Sequence, residues 1–390
     1  MKRFRFPLPF SISRPARFVL IAFLLWRGAL FAVDMVGLNL FREHPNPHKD
    51  YSAFQDPPRH FWNSFARWDS GWYKRIAERG YYIEGHQNAT AFFPGFPYAA
   101  RLLGKIVGDH WTAGLIVSNV CLLIGLFFLY GIARRYLDDD GAERAVIFTL
   151  TFPMTFLFSC YYSEGLFFMA VAGAFYYYER DRFLPAALFG ALAAFTRATG
   201  ILLLPALLIG AVHRVGWRPS RLSVRFLWLF LIAGGLLAFM WMLAKEPRVH
   251  DAMAWLKAQA GWARESKLPF AALYDEATKR PWPWSPIDPW WGTGLILGWF
   301  GVFVIWGATV YALRRLDIAH ALFAGACVVL PLMSGRTLSI NRFALGVPAV
   351  FVVMALVSQG RPLVSRSFII AGSLLAAVVT IGFATWRFVG

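Results

Sequence analysis

Residues 65–82 read FARWDSGWYKRIAERGYY, and AFFPGFPYAARL follows at 91–102. Asp69 sits there between Trp68 and Trp72, with Tyr73 next, at the edge of an apolar stripe. A carboxylate in that setting is suited to act as a general base toward a hydroxyl, with Trp68, Trp72 and Tyr73 placed to contact the substrate. A solvated loop carboxylate is the plainer alternative, but burying Asp69 against that stripe costs free energy unless it is paired. Arg197 and Arg342 stand where apolar stretches end, and Arg336 precedes the second by six residues. Planar guanidinium groups bind phosphate oxygens through a fork of N–H donors, so these three arginines are candidates for a phosphate clamp. The competing reading for each is a side chain that reaches the bilayer surface from a span end. Glu164 follows Tyr161 and Tyr162 at the start of another apolar stretch, where it could hold sugar hydroxyls or fix an arginine. In AQAGWARESKLPF (258–270), Gln259 and Trp262 could contact a sugar, although an interfacial aromatic belt accounts for the tryptophan as well. A base, a phosphate clamp and a greasy portal are what group transfer from a lipid phosphate to a hydroxyl requires.

The elements that must position these residues are read from hydropathy. Of 390 residues, 58% are hydrophobic and 16% charged, against about a quarter charged in ordinary soluble domains. Apolar stretches near 17–40, 112–133, 145–160, 163–179, 183–196, 199–213, 225–244, 291–313, 318–333, 340–358 and 367–387 predict an all-α polytopic membrane protein with about eleven transmembrane helices. Several are short, and predict broken or re-entrant helices. The first follows MKRFRFPLPFSISRPAR and reads as a retained anchor. Arg27 and Asp34 lie two turns apart on one face of it, which predicts a mutually neutralising pair. Neither internal repeats nor a separable soluble domain is visible, so 1–390 reads as one membrane domain. The segment 60–79 carries Phe61, Phe65, Trp68, Trp72 and Ile76 at steps of three and four, which predicts an amphipathic helix in the bilayer interface.

The formal net charge is +17. In a soluble chain this would suggest nucleic acid; here it follows from topology. The basic residues concentrate in the N-terminal tail and in short loops at 134–144, 179–182, 213–225, 314–317 and 358–366, which the positive-inside rule places in the cytoplasm. The long loops at 41–111 and 245–290 then face outward with the turns that carry Glu164, Arg197, Arg336 and Arg342. Cys121, Cys160 and Cys327 all lie in apolar stretches and read as buried small hydrophobes rather than a disulfide or metal framework. No Asp-x-Asp pair accompanies Asp69, so no metal and no cofactor are expected. The run Asp138–Asp140 lies in a basic loop and reads as a helix end.

RWDSGWYKRIAERGY (67–81), FFPGFPYAARLL (92–103), CYYSEGLFF (160–168), FTRATG (195–200) and INRFALGVP (340–348) together resemble the PIG-V family, the second mannosyltransferases of glycolipid-anchor synthesis, and its bacterial relatives. The five motifs run in order along most of the chain. The resemblance implies a GT-C glycosyltransferase fold, a polyprenyl-phosphate sugar donor, typically mannosyl, a glycolipid or glycan acceptor among membrane lipids, and residence in a bacterial plasma membrane with the site on the outer face. The family's Arg-Ser-Asn-Gly turn is here Arg-Ala-Thr-Gly, and acceptor identity does not carry over. A single displacement with Asp69 as base would invert the anomeric centre. A transporter or lipid flippase would share the spans and charge, but such proteins tend to show internal repeats, and a non-catalytic scaffold would share the composition.

Overall fold

The computed structural model describes residues 13–45, 63–83, 88–262, 266–279, 289–335, 337, 339–387 and 389. Every regular element among them is an α- or 3-10 helix. Five helical segments are long and apolar enough to cross a bilayer: Arg14–Leu40 (α1), His110–Ala133, Val224–Lys245, Ile296–Arg315 and Pro362–Ala384. Shorter apolar helices lie between them, at Phe183–Thr196, Ala198–Arg214, Ile318–Leu332 and Pro348–Ser358. The chain is an integral, multi-pass membrane protein.

The short stretches prove to be interrupted, and the interruptions serve the site. After α2 (Ser70–Arg79), α3 (Gly95–Val107) and α4 (His110–Ala133), helix α5 (Asp139–Thr151) stops just before Pro153, and a 3-10 turn over Thr155–Ser159 follows. Proline lacks the N–H that would continue the helix, and its ring biases the preceding residue toward extended backbone. Residues 152–163 are all buried, which is where non-helical backbone is tolerated at membrane depth. The chain restarts as α6 (Glu164–Tyr178), with 13 of its residues buried, including Phe168 and Phe175. Helix α7 (Phe183–Thr196) ends at Arg197, whose backbone is extended, before a 3-10 turn leads into α8 (Leu203–Arg214). The segment Val224–Leu231 is 3-10 and continues as α9 (Ile232–Lys245). Then come the short α10 (Ala254–Lys257), α11 (Pro269–Lys279), α12 (Pro289–Arg315) and α13 (Ile318–Leu332). The stretch 340–358 is split at Gly346 and Pro348 into α14 (Ile340–Leu345) and α15 (Pro348–Ser358), and α16 (Pro362–Ala384) packs against α1.

Helix α6 separates two polar clusters by its length, about 22 Å at 1.5 Å per residue. Its far end meets the short basic loops. There Arg134 pairs with Asp139 at 2.8 Å, and Arg214 with Asp317 at 2.5 Å and Asp181 at 3.2 Å. The fully buried His320 Nε2 lies 2.9 Å from Glu179 Oε1. Asp138 caps α5 by accepting from the Gly141 N–H at 2.8 Å, so the acidic run is a helix end, and Asp140 pairs with Arg14 at 2.8 Å. The cysteines are free, two of them buried.

Two local expectations change. Arg27 and Asp34 do not pair directly. Asp34 accepts from Ser64 Oγ at 2.7 Å, while the Arg27 guanidinium lies 4.5 Å over the Phe65 ring. The loop before Asp69 inserts at this face of α1 and takes both side chains. The helix expected over 60–79 is interrupted among the described residues: Asn63 is helical, 64–69 are not, and α2 starts at Ser70, with Trp68 at φ +53°, a left-handed conformation that a bulky residue holds only when its surroundings impose it; 60–62 lie outside the described residues. The aromatic stripe of this segment turns inward, with Phe65 and Ile76 buried. Helix α3, by contrast, exposes the apolar side chains of Leu102, Ile106 and Val107.

Candidate active site

The site lies at the N-terminal end of α6. Asp69 is the N-cap residue of α2 and is held there by its neighbours in space. Tyr162 Oη accepts from the Asp69 N–H and donates to the Arg67 carbonyl, both at 3.1 Å. The Tyr161 N–H donates to the Phe65 carbonyl at 2.8 Å. Arg67, itself buried, donates to the Ala384 carbonyl and to Glu43, each at 3.3 Å, and lies 4.7 Å over Trp386. The loop 63–69 is thus fastened to the Tyr161–Tyr162 segment on one side and to the end of α16 on the other. Tyr162→Phe would strand the Asp69 N–H, while the Arg67 carbonyl would keep the Ser70 N–H at 3.2 Å. We expect it to cost about 1–3 kcal/mol, the penalty for buried polar groups left unpaired, read as a lower unfolding temperature in detergent. Unchanged melting would show that the phenol clamps nothing.

The charged centre is built on one carboxylate oxygen. Glu164 Oε1 accepts from Arg342 Nη2 at 2.8 Å, from Arg342 Nε at 3.0 Å and from Arg197 Nη1 at 2.7 Å. Arg342 Nη1 reaches the other way and donates to Asp69 Oδ2 at 2.9 Å. Glu164 is buried, whereas the Arg197, Arg342 and Asp69 side chains keep 16%, 11% and 27% of their surface. Glu164 Oε2 has no hydrogen-bond partner among the described residues. The result is two arginines and two carboxylates in one chain, partly open on the side of Asp69 and the guanidinium groups. In such a setting charge-assisted bonds are short and strong. Arg342 also lies 5.1 Å over the Tyr162 ring, and Arg197 5.4 Å over Phe343.

Two glycines permit the approach of these elements. A Cβ on Gly95 would stand 2.3 Å from Thr196 Oγ1, the residue before Arg197, and one on Gly200 would meet the Ala193 backbone at 2.2 Å. Gly95 in the Phe-Phe-Pro-Gly motif and Gly200 in Arg-Ala-Thr-Gly therefore let α3 and the turn after Arg197 close on α7.

The aromatic residues divide. Trp72 stacks on Phe92 at 5.8 Å, and Tyr73 packs edge-on against Phe92 and Phe96, both at 5.3 Å, so both rings are enclosed. Tyr73 Oη lies 2.9 Å from Ser163 Oγ. Burial, reinforced by the Glu164 charge, pushes the Tyr73 phenol up to about 12, so it stays protonated at neutral pH. Trp68 is half-buried, 6.0 Å from Trp386. Gln259 donates to the Trp255 carbonyl at 3.0 Å, in a segment that packs Trp255 on Phe93 at 5.6 Å. The Trp262 side chain and Arg336 lie outside the described residues. Thr337 is held to α11: its N–H donates to Glu276 Oε1 at 2.9 Å, with its hydroxyl on the other Glu276 oxygen.

Of the residues singled out in the sequence, Asp69, Glu164, Arg197 and Arg342 converge in one network. Tyr162, Ser163 and Arg67 belong to it and were missed. Tyr162 stood inside a motif quoted for the glutamate two residues on, and that adjacency was the available signal.

The family model for dolichyl-phosphate-mannose-protein mannosyltransferases matches residues 91–244. That stretch contains Glu164 and Arg197, begins after Asp69 and ends before Arg342. A Drosophila melanogaster protein, described as a Dol-P-Glc:Glc(2)Man(9)GlcNAc(2)-PP-Dol alpha-1,2-glucosyltransferase, is 30% identical over 158 residues, which are 36% of this chain and 35% of that one. The chain thus spans about a third of this curated relative. Among solved structures, the Archaeoglobus fulgidus oligosaccharyltransferase aligns with a TM-score of 0.48 at 13% identity, over 94% of this chain and 56% of its own. ArnT from Cupriavidus metallidurans aligns with a TM-score of 0.42 at 15% identity, over 96% and 76%.

Proposed function

We propose that the chain is a GT-C-type, inverting glycosyltransferase that moves a sugar from a polyprenyl-phosphate donor to a hydroxyl of a lipid-linked or surface acceptor. The observation that carries this is the Asp69–Arg342–Glu164–Arg197 network, which puts a carboxylate within one hydrogen bond of a guanidinium cluster at the end of an apolar bundle. Asp69 takes the acceptor proton. Arg342 and Arg197, held by Glu164, neutralise the departing phosphate, with Arg336 close by in sequence. Trp68 lines the sugar side, Trp72 and Tyr73 brace the loop from behind, and Gln259 and Trp262 lie on the adjoining segment. The sugar we favour is mannose, from the motif resemblance and the matched family's name; the glucosyltransferase relative keeps glucose as the competing donor. Purified protein given a radiolabelled polyprenyl-phosphate sugar and acceptor should release polyprenyl phosphate. A protein that moves the labelled lipid between leaflets of a vesicle and releases none is a flippase, and the proposal then fails.

The site faces outward in this reading, because the basic loops gather at the other end of α6. In a background lacking the native cysteines, an impermeant thiol reagent applied to intact cells should label Cys introduced at the exposed Ile83 and miss Cys at the exposed Ser220. The opposite pattern would reverse the orientation.

A further inference from the structure

Resting on the transferase reading, we propose that Arg342 changes partner during turnover, exchanging the Asp69 carboxylate for the departing phosphate as Asp69 becomes protonated. The guanidinium is divided between two tasks. Nε and Nη2 are fixed on Glu164 Oε1 at 3.0 and 2.8 Å, while Nη1 alone bonds Asp69 Oδ2 at 2.9 Å. Glu164 is anchored in turn by Arg197 at 2.7 Å and is buried. One arm of Arg342 can therefore change partner while the other two stay in place, and the fork does not have to be rebuilt. Asp69 Oδ1 makes no hydrogen bond to a described residue and is the oxygen left to face an acceptor hydroxyl.

The charge balance explains why the arm would move. The two arginines and two carboxylates sum to zero, so the cluster has no spare cation for a phosphate while Asp69 is ionised. In the reaction the acceptor O–H bond breaks and its proton passes to Asp69, whose carboxylate becomes neutral. The acceptor oxygen bonds to the anomeric carbon, and the electron pair of the broken carbon–oxygen bond goes to the phosphate, which turns from a singly charged diester into a monoester of about −1.5 to −2. The negative charge lost at Asp69 thus reappears on the phosphate. A carboxylic acid is a much weaker acceptor for a guanidinium than a phosphate dianion, so Nη1 follows the charge. Arg342 is then a catalytic residue that couples proton removal to leaving-group departure, with Glu164 as its positioning residue.

The test is the affinity for polyprenyl phosphate, measured by calorimetry or fluorescence in detergent at neutral pH. If Asp69 and phosphate compete for Nη1, Asp69→Asn should bind polyprenyl phosphate more tightly than the parent, by roughly 5- to 150-fold, the usual range for coupled sites. Placed on Arg342→Lys, the same change should give little gain, because the shared fork is gone. Equal or weaker binding by Asp69→Asn overturns the exchange, whatever happens to turnover. Parent-like turnover in Asp69→Asn removes Asp69 as base, while the affinity still decides whether it competes for Arg342, so the two readings fail separately. Asp69→Asn keeps size and backbone contacts. Should Arg342→Lys not fold, the single-variant affinity alone settles the question.

Discussion

Asp69→Asn is expected to lower the rate of sugar transfer by roughly two to four orders of magnitude, the usual contribution of a positioned general base. The loss should appear in single turnover at saturating donor, where binding no longer limits the rate. The asparagine keeps the side-chain volume, and the main-chain bond to Tyr162 Oη does not involve the side chain, so the loop should hold its place. What disappears is the oxygen able to accept a proton. Transfer at close to the parent rate would remove Asp69 from this role and turn attention to Glu164 Oε2, the other carboxylate oxygen in the network without a partner among the described residues.

The second large effect concerns the arginines, and the geometry ranks them. Arg342 makes three bonds to two carboxylates through the full guanidinium fork, whereas Arg197 makes one short bond to Glu164 and a long one, 3.4 Å, to Ser163 Oγ. A lysine keeps the charge but not the planar fork. It can reproduce one strong bond of Arg197 but not the opposed contacts of Arg342. Each charge-assisted bond lost is worth about 1.5–3 kcal/mol, so Arg342→Lys should reduce transfer roughly 10- to 100-fold and Arg197→Lys distinctly less. Replacement of Arg342 by Ala should also destabilise the fold, because it removes one of the two cations that hold the buried Glu164. Parent-like donor dependence in both lysine variants would mean that the phosphate is held elsewhere, with Arg336 the next candidate.

Much of this was legible in residue order. Hydropathy alone located the apolar stretches, since a bilayer core demands about twenty consecutive apolar residues and tolerates few charges. It also showed that some were too short, though not where they would break; Pro153 and the Gly346–Pro348 pair decided that. The basic loops could be assigned to one side because charge near span ends is counted along the chain. Glu164, Arg197 and Arg342 stood out because a charged residue at the end of an apolar run needs a reason, and Asp69 because a carboxylate adjoining an aromatic stripe is costly to bury unpaired.

Their relation to one another could not be read in that way. Asp69 and Arg342 are 273 positions apart, and Arg342 and Glu164 are 178 apart. No local pattern encodes a contact across such distances, and each arginine alone is equally consistent with reaching for the bilayer surface. Periodicity failed at 60–79 for a related reason. The stripe of aromatics had helical spacing, but where the loop docks against Tyr161, Tyr162 and Trp386, Trp68 takes a left-handed conformation and the helix is interrupted before α2. Arg27 and Asp34 shared a helix face, as their spacing said, yet each found its partner on the incoming loop instead. Composition and local order determined that this protein lives in a membrane and which residues are candidates to carry its chemistry. Packing decided which of them meet, because three interrupted segments and one strained loop bring their ends to a single buried carboxylate.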